Sequence, residues 1–233
     1  MKAVIPAAGR GSRLGELTHD QPKGLVTVAG RPLLTHVFER TVAAGADELV
    51  VVIGYEGAQI VDRFGDAFGE TPITYVHQRE QRGLGHAVLQ AAPHVDDPFL
   101  VVNGDNVFAD SLAPAVEAAE RAGVDGVLAV EDVSRDAALT TGVIELEAGE
   151  VARIVEKPTD PSSTLVTTGC YVLPEAVFNA CELVRPSAEG EIQLSEAVGL
   201  LARAGYSLAT VRLSERVNVN RPADVERATA LIE

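Results

Sequence analysis

The sequence predicts a single α/β domain built on a mostly parallel sheet, with a β-rich subregion in its second half. Three observations point there. Short apolar runs bounded by turn residues recur at Ala3–Ile5, Leu49–Ile53, Ile73–Val76, Phe99–Val102 and Gly126–Val130. Segments with helical spacing separate them, at Pro32–Ala44, Gly83–Ala92 and Ser111–Ala122. Such alternation is the pattern of buried parallel strands covered by amphipathic helices. No internal repeat, low-complexity tract or Pro/Ser linker divides the chain, so residues 1–233 are expected to form one domain.

The elements follow in order. Ala3–Ile5 opens the sheet and runs into a glycine-rich turn; in open α/β sheets, ligands bind beyond the carboxyl ends of strands. The second half changes character. Gly142–Leu146 and Val151–Glu156 read as a hairpin about the turn Glu147–Glu150, which would wall or cover a site. A strand at Cys170–Leu173, helices at Glu175–Leu183 and Glu191–Ala204, and a strand at Leu208–Leu213 come next. Pro222 followed by Asp224 and Glu226 starts a last helix, Pro222–Ile232.

Composition bounds the chemistry. With 34 acidic against 19 basic residues, the net charge of -15 argues against nucleic acid or an anionic membrane as the main partner. It permits a small anionic substrate in a locally basic pocket. Acidity with few Lys and much Ala also suits a cytoplasm of high salt, which screens charge over a few ångströms. No run approaches the roughly 18 apolar residues of a membrane helix, and the apolar stretch Ala3–Ala8 is too short for an export signal. Cys170 and Cys181 lack metal-ligand spacing and are expected to be reduced and structural, in a cytoplasmic protein. Only three lysines occur, Lys2, Lys23 and Lys157, so each merits a reason.

Ala8-Gly9-Arg10-Gly11-Ser12-Arg13 lets backbone N–H groups approach phosphate oxygens without an intervening Cβ. The dinucleotide fingerprint fails, because Leu14 stands where its third glycine belongs, and no Gly-Lys-Ser/Thr completes a P-loop. Gln21-Pro22-Lys23 adds an ammonium to the guanidinium groups of Arg10 and Arg13, a set suited to a triphosphate. Asp105 ends the run Phe99–Val102, where a hard carboxylate would suit Mg²⁺. Gln78 carries the donor and acceptor needed to pair with a pyrimidine edge, and Gly83 would let backbone approach the same ring.

Taken together, Ala8–Leu14 with Pro22-Lys23 resembles the sugar-1-phosphate nucleotidylyltransferases. The resemblance runs colinearly over nearly the whole chain, through Gln78 with Gly83–Val88, Asn103–Asn106, Gly142–Ile144, Val155–Pro158, Thr168–Tyr171, Gly190–Leu194 and Val217–Pro222. It implies a Rossmann-like nucleotide-diphospho-sugar transferase fold with a β-rich sugar-binding subregion, acting on a pyrimidine nucleoside triphosphate (UTP or dTTP) and a sugar 1-phosphate. Carried over residue by residue, it assigns Ala8, Gly9, Gly11, Ser12, Gln78 and Gly83 to the nucleotide and Gly142, Glu156, Lys157 and Thr168 to the sugar phosphate. Arg13 and Lys23 would hold the triphosphate in the reaction, and Mg²⁺ would lie on Asp105 and Asn218. His86 would be supporting rather than catalytic.

Departures from the family pattern leave the substrates open. Leu84 replaces a frequent Thr, and Asn218 stands where many relatives have Asp, as in branches acting on N-acetylglucosamine 1-phosphate rather than glucose 1-phosphate. Asn220 is expected to cap the last helix. No hexapeptide-repeat extension follows, so no acetyltransferase activity is expected, and a homo-oligomer is compatible with the sequence.

The implied reaction is attack by a phosphate oxygen of the sugar 1-phosphate on the α-phosphorus of the triphosphate, displacing pyrophosphate. That nucleophile is already ionised, so the protein's task is positioning and charge neutralisation. Two alternatives stand beside it: a glycosyltransferase consuming an NDP-sugar, and a non-catalytic nucleotide- or sugar-phosphate-binding regulator.

Overall fold

A computed structural model describes all residues Met1–Glu233. In chain order the elements are β1 (Lys2–Pro6), β2 (Thr27–Val28), β3 (Arg31–Pro32), α1 (Leu33–Ala43), β4 (Glu48–Ile53), α2 (Gly57–Phe64), β5 (Ala67–Phe68) and β6 (Thr71–His77). There follow α3 (Leu84–Gln90), β7 (Phe99–Val102), β8 (Asn106–Phe108), α4 (Ala113–Ala119), β9 (Gly126–Asp132), α5 (Arg135–Ala138), β10 (Gly142–Glu147) and β11 (Glu150–Glu156). The chain closes with β12 (Leu165–Leu173), α6 (Ala176–Leu183), α7 (Leu194–Arg203), β13 (Leu208–Arg212), β14 (Arg216–Asn218) and α8 (Pro222–Ile232).

The main sheet has ten strands in the order β11-β10-β12-β7-β1-β4-β6-β5, with β9 and β13 branching from β12. Its centre is parallel, with Val4 beside Val101 on β7 and Val50 on β4. Beyond β7 it turns antiparallel, where Cys170 on β12 faces Val102. Both faces are covered, which explains the continuous apolar runs in the central strands. Val4, Val50, Val52 and Val101 pack with Val88, Val177 and Val198 from α3, α6 and α7. The alternate residues Ala3, Ile5, Val51 and Leu100 pack with Phe38, Ile60 and Ala115 from α1, α2 and α4. Cys170 and Cys181 are buried and unpaired, as expected, and burial pushes both thiols up to about 12.

A smaller cluster positions the site. Leu14, Val28, Leu33, Val107, Val217 and Ala228 form a separate core under α8. It holds the two-stranded sheet of β8 and β14, in which Asn106 faces Asn218. Residues from opposite halves of the chain thereby meet at the carboxyl end of β7.

The structure corrects several boundaries. The helix expected from Glu191 begins at Leu194. Residues Glu191–Gln193 instead run extended against Arg82–Gly85, where Ile192 N–H donates to Arg82 O at 2.7 Å and Gly85 N–H to Ile192 O at 2.8 Å. Helix α2 escaped the sequence reading because it buries only Gly57 and Ile60. The strand expected from Cys170 begins at Leu165. Asn220 is not the cap of α8: Arg221 is, with Asp224 Oδ2 accepting from both the Asn220 and Arg221 N–H groups, at 3.0 and 2.8 Å.

Candidate active site

A cleft of two lobes opens beyond the carboxyl ends of β1, β6 and β7. The larger lobe, 410 Å³, is lined by Ala8, Gly9, Gly11, Ser12 and Arg13 from the glycine turn, by Lys23, Gln78, Gly83 and Asp105, and by Asn220. The smaller, 170 Å³, is lined by Gly142, Glu156, Thr168, Ser195, Arg216 and Asn218. Leu84, Asn103 and Gln193 border both, so the lobes adjoin.

The glycine turn is shaped by two close approaches. Gly11 has φ +69°, and a Cβ there would stand 2.9 Å from Lys23 Cβ, so only glycine lets the Lys23 stem lie across the turn. Thr18 Oγ1 donates to Gly11 O at 3.0 Å and pins the loop. A Cβ on Gly9, by contrast, would meet nothing within 4 Å. Its bare face is turned to the cleft, where a phosphate could approach the backbone.

Lys23 is largely buried, and its Nζ lies 2.8 Å from Asp105 Oδ2 and 2.9 Å from Asn220 Oδ1. Arg13 is exposed and reaches the same Asn220 oxygen at 3.5 Å. Arg10 departs from expectation: its guanidinium lies over the Tyr55 ring, 4.8 Å from the centroid, and does not line the cleft. Asp105 is held by its neighbours, since Val219 N–H donates to its carbonyl at 2.9 Å and Gly104 N–H to Pro6 O at 3.1 Å.

The oxygen set around Asp105 is the candidate seat for a divalent cation. It offers one carboxylate and the amide oxygens of Asn218 and Asn220, the last two joined by an Asn220 Nδ2 donation to Asn218 Oδ1 at 2.7 Å. No cluster of three or more His, Cys, Asp or Glu residues is present. Such a set does not make an all-protein cage; it fits Mg²⁺, which takes one or two protein ligands and completes its shell with phosphate oxygens and water.

Gln78 is buried at the end of β6, its N–H donating to Ile53 O at 2.8 Å. Its side-chain nitrogen is already engaged, with Gly83 O at 3.2 Å and His86 Nδ1 at 2.9 Å. Burial foremost, and then the Arg82 charge, hold the His86 imidazole below its usual value, which favours a neutral ring able to accept at Nδ1. His86 therefore supports Gln78, and Gln78 Oε1 remains as an acceptor for a ligand. Gly83 has φ +90°, and a Cβ there would fall 2.8 Å from Ile192 O. Its lack of a side chain serves the docking of Glu191–Gln193.

In the smaller lobe, Glu156 Oε2 accepts from Ser195 Oγ at 2.7 Å. Gly142 fits closely, a Cβ there standing 3.1 Å from Glu156 Oε2. Thr168 lines the lobe, but its hydroxyl donates to Ala129 O at 3.0 Å, so it shapes the wall with its hydroxyl already committed. Lys157 does not line either lobe. Its backbone is left-handed, φ +44°, which ends the strand alternation after Glu156, and its Nζ lies 3.9 Å from a Glu189 carboxylate oxygen. Its side chain is half exposed.

Sequence reasoning missed Asn103, Gln81, Gln193, Ser195, Arg216 and, as a site residue, Asn220. One signal was available for Asn220: two positions from Asn218 in an extended segment, it shares that residue's side of the chain.

Several known proteins resemble this chain in sequence and fold. A family model described as "Nucleotidyl transferase" matches residues 2–216. A UTP–glucose-1-phosphate uridylyltransferase, AglF, of Haloferax volcanii is 43% identical over 98% of this chain and 95% of its own length. A low-salt glycan biosynthesis nucleotidyltransferase, Agl11, of the same organism is 32% identical over 100% of this chain and 66% of its own. The bifunctional protein GlmU of Methanococcus maripaludis is 34% identical over 99% of this chain, which spans 54% of that relative. Among solved structures, a UTP-bound UGPase from Acinetobacter baumannii superposes with a TM-score of 0.87 at 25% identity, covering 98% of this chain and 92% of its own. A UDP-glucose pyrophosphorylase complexed with UDP-glucose shares the fold with a TM-score of 0.89 at 24% identity, covering 98% and 97%.

Proposed function

The chain belongs to the nucleotidyl transferase family, and from that premise we propose that it transfers the uridylyl group of UTP to glucose 1-phosphate, releasing pyrophosphate and forming UDP-glucose. The observation that carries the reading is the pair of adjoining lobes with Lys23, Asp105, Asn218 and Asn220 gathered at the carboxyl end of β7. The choice of UTP and glucose 1-phosphate is supported by the relative 43% identical along nearly its whole length.

In this reading the nucleotide occupies the larger lobe. The uracil N3–H donates to Gln78 Oε1, while Ala8, Gly9, Gly11 and Ser12 bring backbone and a hydroxyl to the phosphates. Arg13 and Lys23 bind the triphosphate and stabilise the charge that gathers on the leaving pyrophosphate. The sugar occupies the smaller lobe, its hydroxyls donating to the Glu156 carboxylate that Ser195 orients, with Gly142 and Thr168 shaping the walls. Lys157 turns from Glu189 to the sugar phosphate at the rim. Asp105 and Asn218 would hold Mg²⁺, which would supply positive charge to neutralise phosphate. The chain's remaining work is alignment, because the attacking phosphate oxygen needs no base. No helix is long and apolar enough to cross a membrane, and an aqueous cytoplasmic setting accords with the charged substrates.

Pyrophosphate release from UTP, dTTP, CTP and ATP against glucose, N-acetylglucosamine, galactose and mannose 1-phosphates tests this. UTP with glucose 1-phosphate is expected to lead. No pyrophosphate from any pair refutes nucleotidyl transfer, and nucleoside diphosphate released from an NDP-sugar would indicate glycosyl transfer instead.

A further inference from the structure

Gln81 Nε2 donates to Ala8 O at 2.9 Å, across 73 positions of sequence. The bond ties together two segments that line the larger lobe: the glycine turn after β1, and residues 78–83, which lie between β6 and α3. A second donor reaches the same oxygen, the Tyr55 N–H at 3.3 Å. That distance exceeds the roughly 2.7 to 3.2 Å usual for such bonds, so Gln81 makes the stronger contact. Gly54 leaves room for the oxygen, since a Cβ there would stand 2.7 Å from it.

The consequence falls on the next residue. The Ala8–Gly9 peptide is trans, and a planar trans peptide points its C=O and N–H in opposite directions. Drawing Ala8 O toward Gln81 and Tyr55 therefore sends the Gly9 N–H the other way. The Gly9, Arg10 and Gly11 N–H groups donate to no acceptor within the chain, and a Cβ on Gly9 would meet nothing within 4 Å. Successive free N–H groups on an open face suit an anion. The orientation of that face is thus set from the far side of the peptide, by a side chain that belongs to the other segment.

Resting on the uridylyltransferase reading, we propose that Gln81 is a positioning residue for the nucleotide: its donation to Ala8 O fixes the Ala8–Gly9 peptide so that the Gly9 N–H faces the triphosphate. It couples the segment that carries Gln78 to the turn that meets the phosphates. The residue acts through that peptide and does not itself touch the reacting atoms.

The test is a cycle of wild type, Gln81→Met, Gly9→Ala and the double variant. Met keeps the length of Gln without its N–H donor, and the Ala methyl projects from a face that no protein atom crowds. Neither change is expected to move the melting temperature by more than about 2 °C; a larger fall in Gln81→Met would mark the bond as structural and overturn the proposal. Each single change is expected to raise KM for UTP about tenfold or more, the scale of one lost hydrogen bond, while KM for glucose 1-phosphate stays within about twofold of wild type. Because Gln81 acts through the peptide whose open face Gly9→Ala already blocks, the double variant is expected to be no worse than Gly9→Ala. Multiplicative losses, or equal rises in both KM values, would overturn the proposal. Uridine carries the base without phosphates, so it is expected to inhibit wild type and Gln81→Met with the same Ki; weaker inhibition of the variant would place Gln81 on the base and also overturn it. If the wild type forms no UDP-glucose, it is the uridylyltransferase reading that fails. Calorimetric titration of UTP and of uridine into wild type and Gln81→Met then tests Gln81 alone. Weaker UTP binding with unchanged uridine binding supports the positioning role, and any other pattern refutes it.

Discussion

Lys23 Nζ lies 2.8 Å from Asp105 Oδ2, joining residues 82 positions apart. An ammonium on this carboxylate competes for the oxygen that a divalent cation would take. Replacing Lys23 by Met is therefore expected to tighten Mn²⁺ binding to the nucleotide-free protein, read by electron paramagnetic resonance. The same change should lower kcat/KM by about 10²-fold or more, since one cation is lost from the phosphates. Unchanged Mn²⁺ affinity would show that Lys23 and the metal do not share Asp105.

Asp105→Ala is expected to abolish pyrophosphate release while the circular dichroism spectrum stays native. The backbone bonds that hold this loop, from Val219 N–H to Asp105 O and from Gly104 N–H to Pro6 O, do not involve the carboxylate. Full activity of the variant with Mg²⁺ present would refute the metal assignment.

With the Gln78 nitrogen engaged by Gly83 and His86, only Oε1 is available to a base. Uracil offers N3–H to it and cytosine offers a lone pair at N3, so kcat/KM is expected to favour UTP over CTP by about 10²-fold or more. In Gln78→Leu the preference should collapse through KM for the nucleotide. Retained discrimination would place the selection elsewhere.

His86 carries a pH dependence of known sign. Its folded-state pKa is lowered from 6.5, so on acidification the unfolded chain takes up the proton first. Its contribution is complete above about pH 6.5 and is lost as pH falls below that value toward the folded pKa. Protonation also replaces the Nδ1 acceptor with a donor against Gln78, so KM for UTP should rise over the same range. Melting temperature and KM measured between pH 7.5 and about 5 for wild type and His86→Asn check both; identical pH profiles would exclude the His86 contribution.

Gly83→Ala is expected to lower the melting temperature and raise KM for UTP together. The added Cβ would fall 2.8 Å from Ile192 O on a residue with φ +90°, forcing apart the Arg82–Gly85 and Glu191–Gln193 segments. A change in KM without loss of stability would mean that the glycine serves the ligand alone.

Much of the framework was legible in the chain. Strands β1, β4 and β7 announce themselves because a parallel strand covered on both faces must be apolar throughout, and α8 because Pro222 and Asp224 mark its start within the local sequence. The glycine turn, Lys23, Gln78, Asp105 and Glu156 could be nominated because their residue types follow strand ends or occur in recognisable runs. The scarcity of lysine pointed to Lys23, which lies in the cleft, and to Lys157, which lines neither lobe and has its Nζ 3.9 Å from a Glu189 carboxylate oxygen.

The partners of those residues were set by long-range packing. The docking of Glu191–Gln193 against Arg82–Gly85, the turn of Asn220 toward Lys23, and the Glu131–Arg216–Asn106 chain at the smaller lobe all join positions distant in sequence. Local periodicity reports the face a side chain presents; it holds no information about which distant donor meets which acceptor. Those pairings are fixed by burial, because a polar group removed from water must find its complement in whatever the packed core brings beside it.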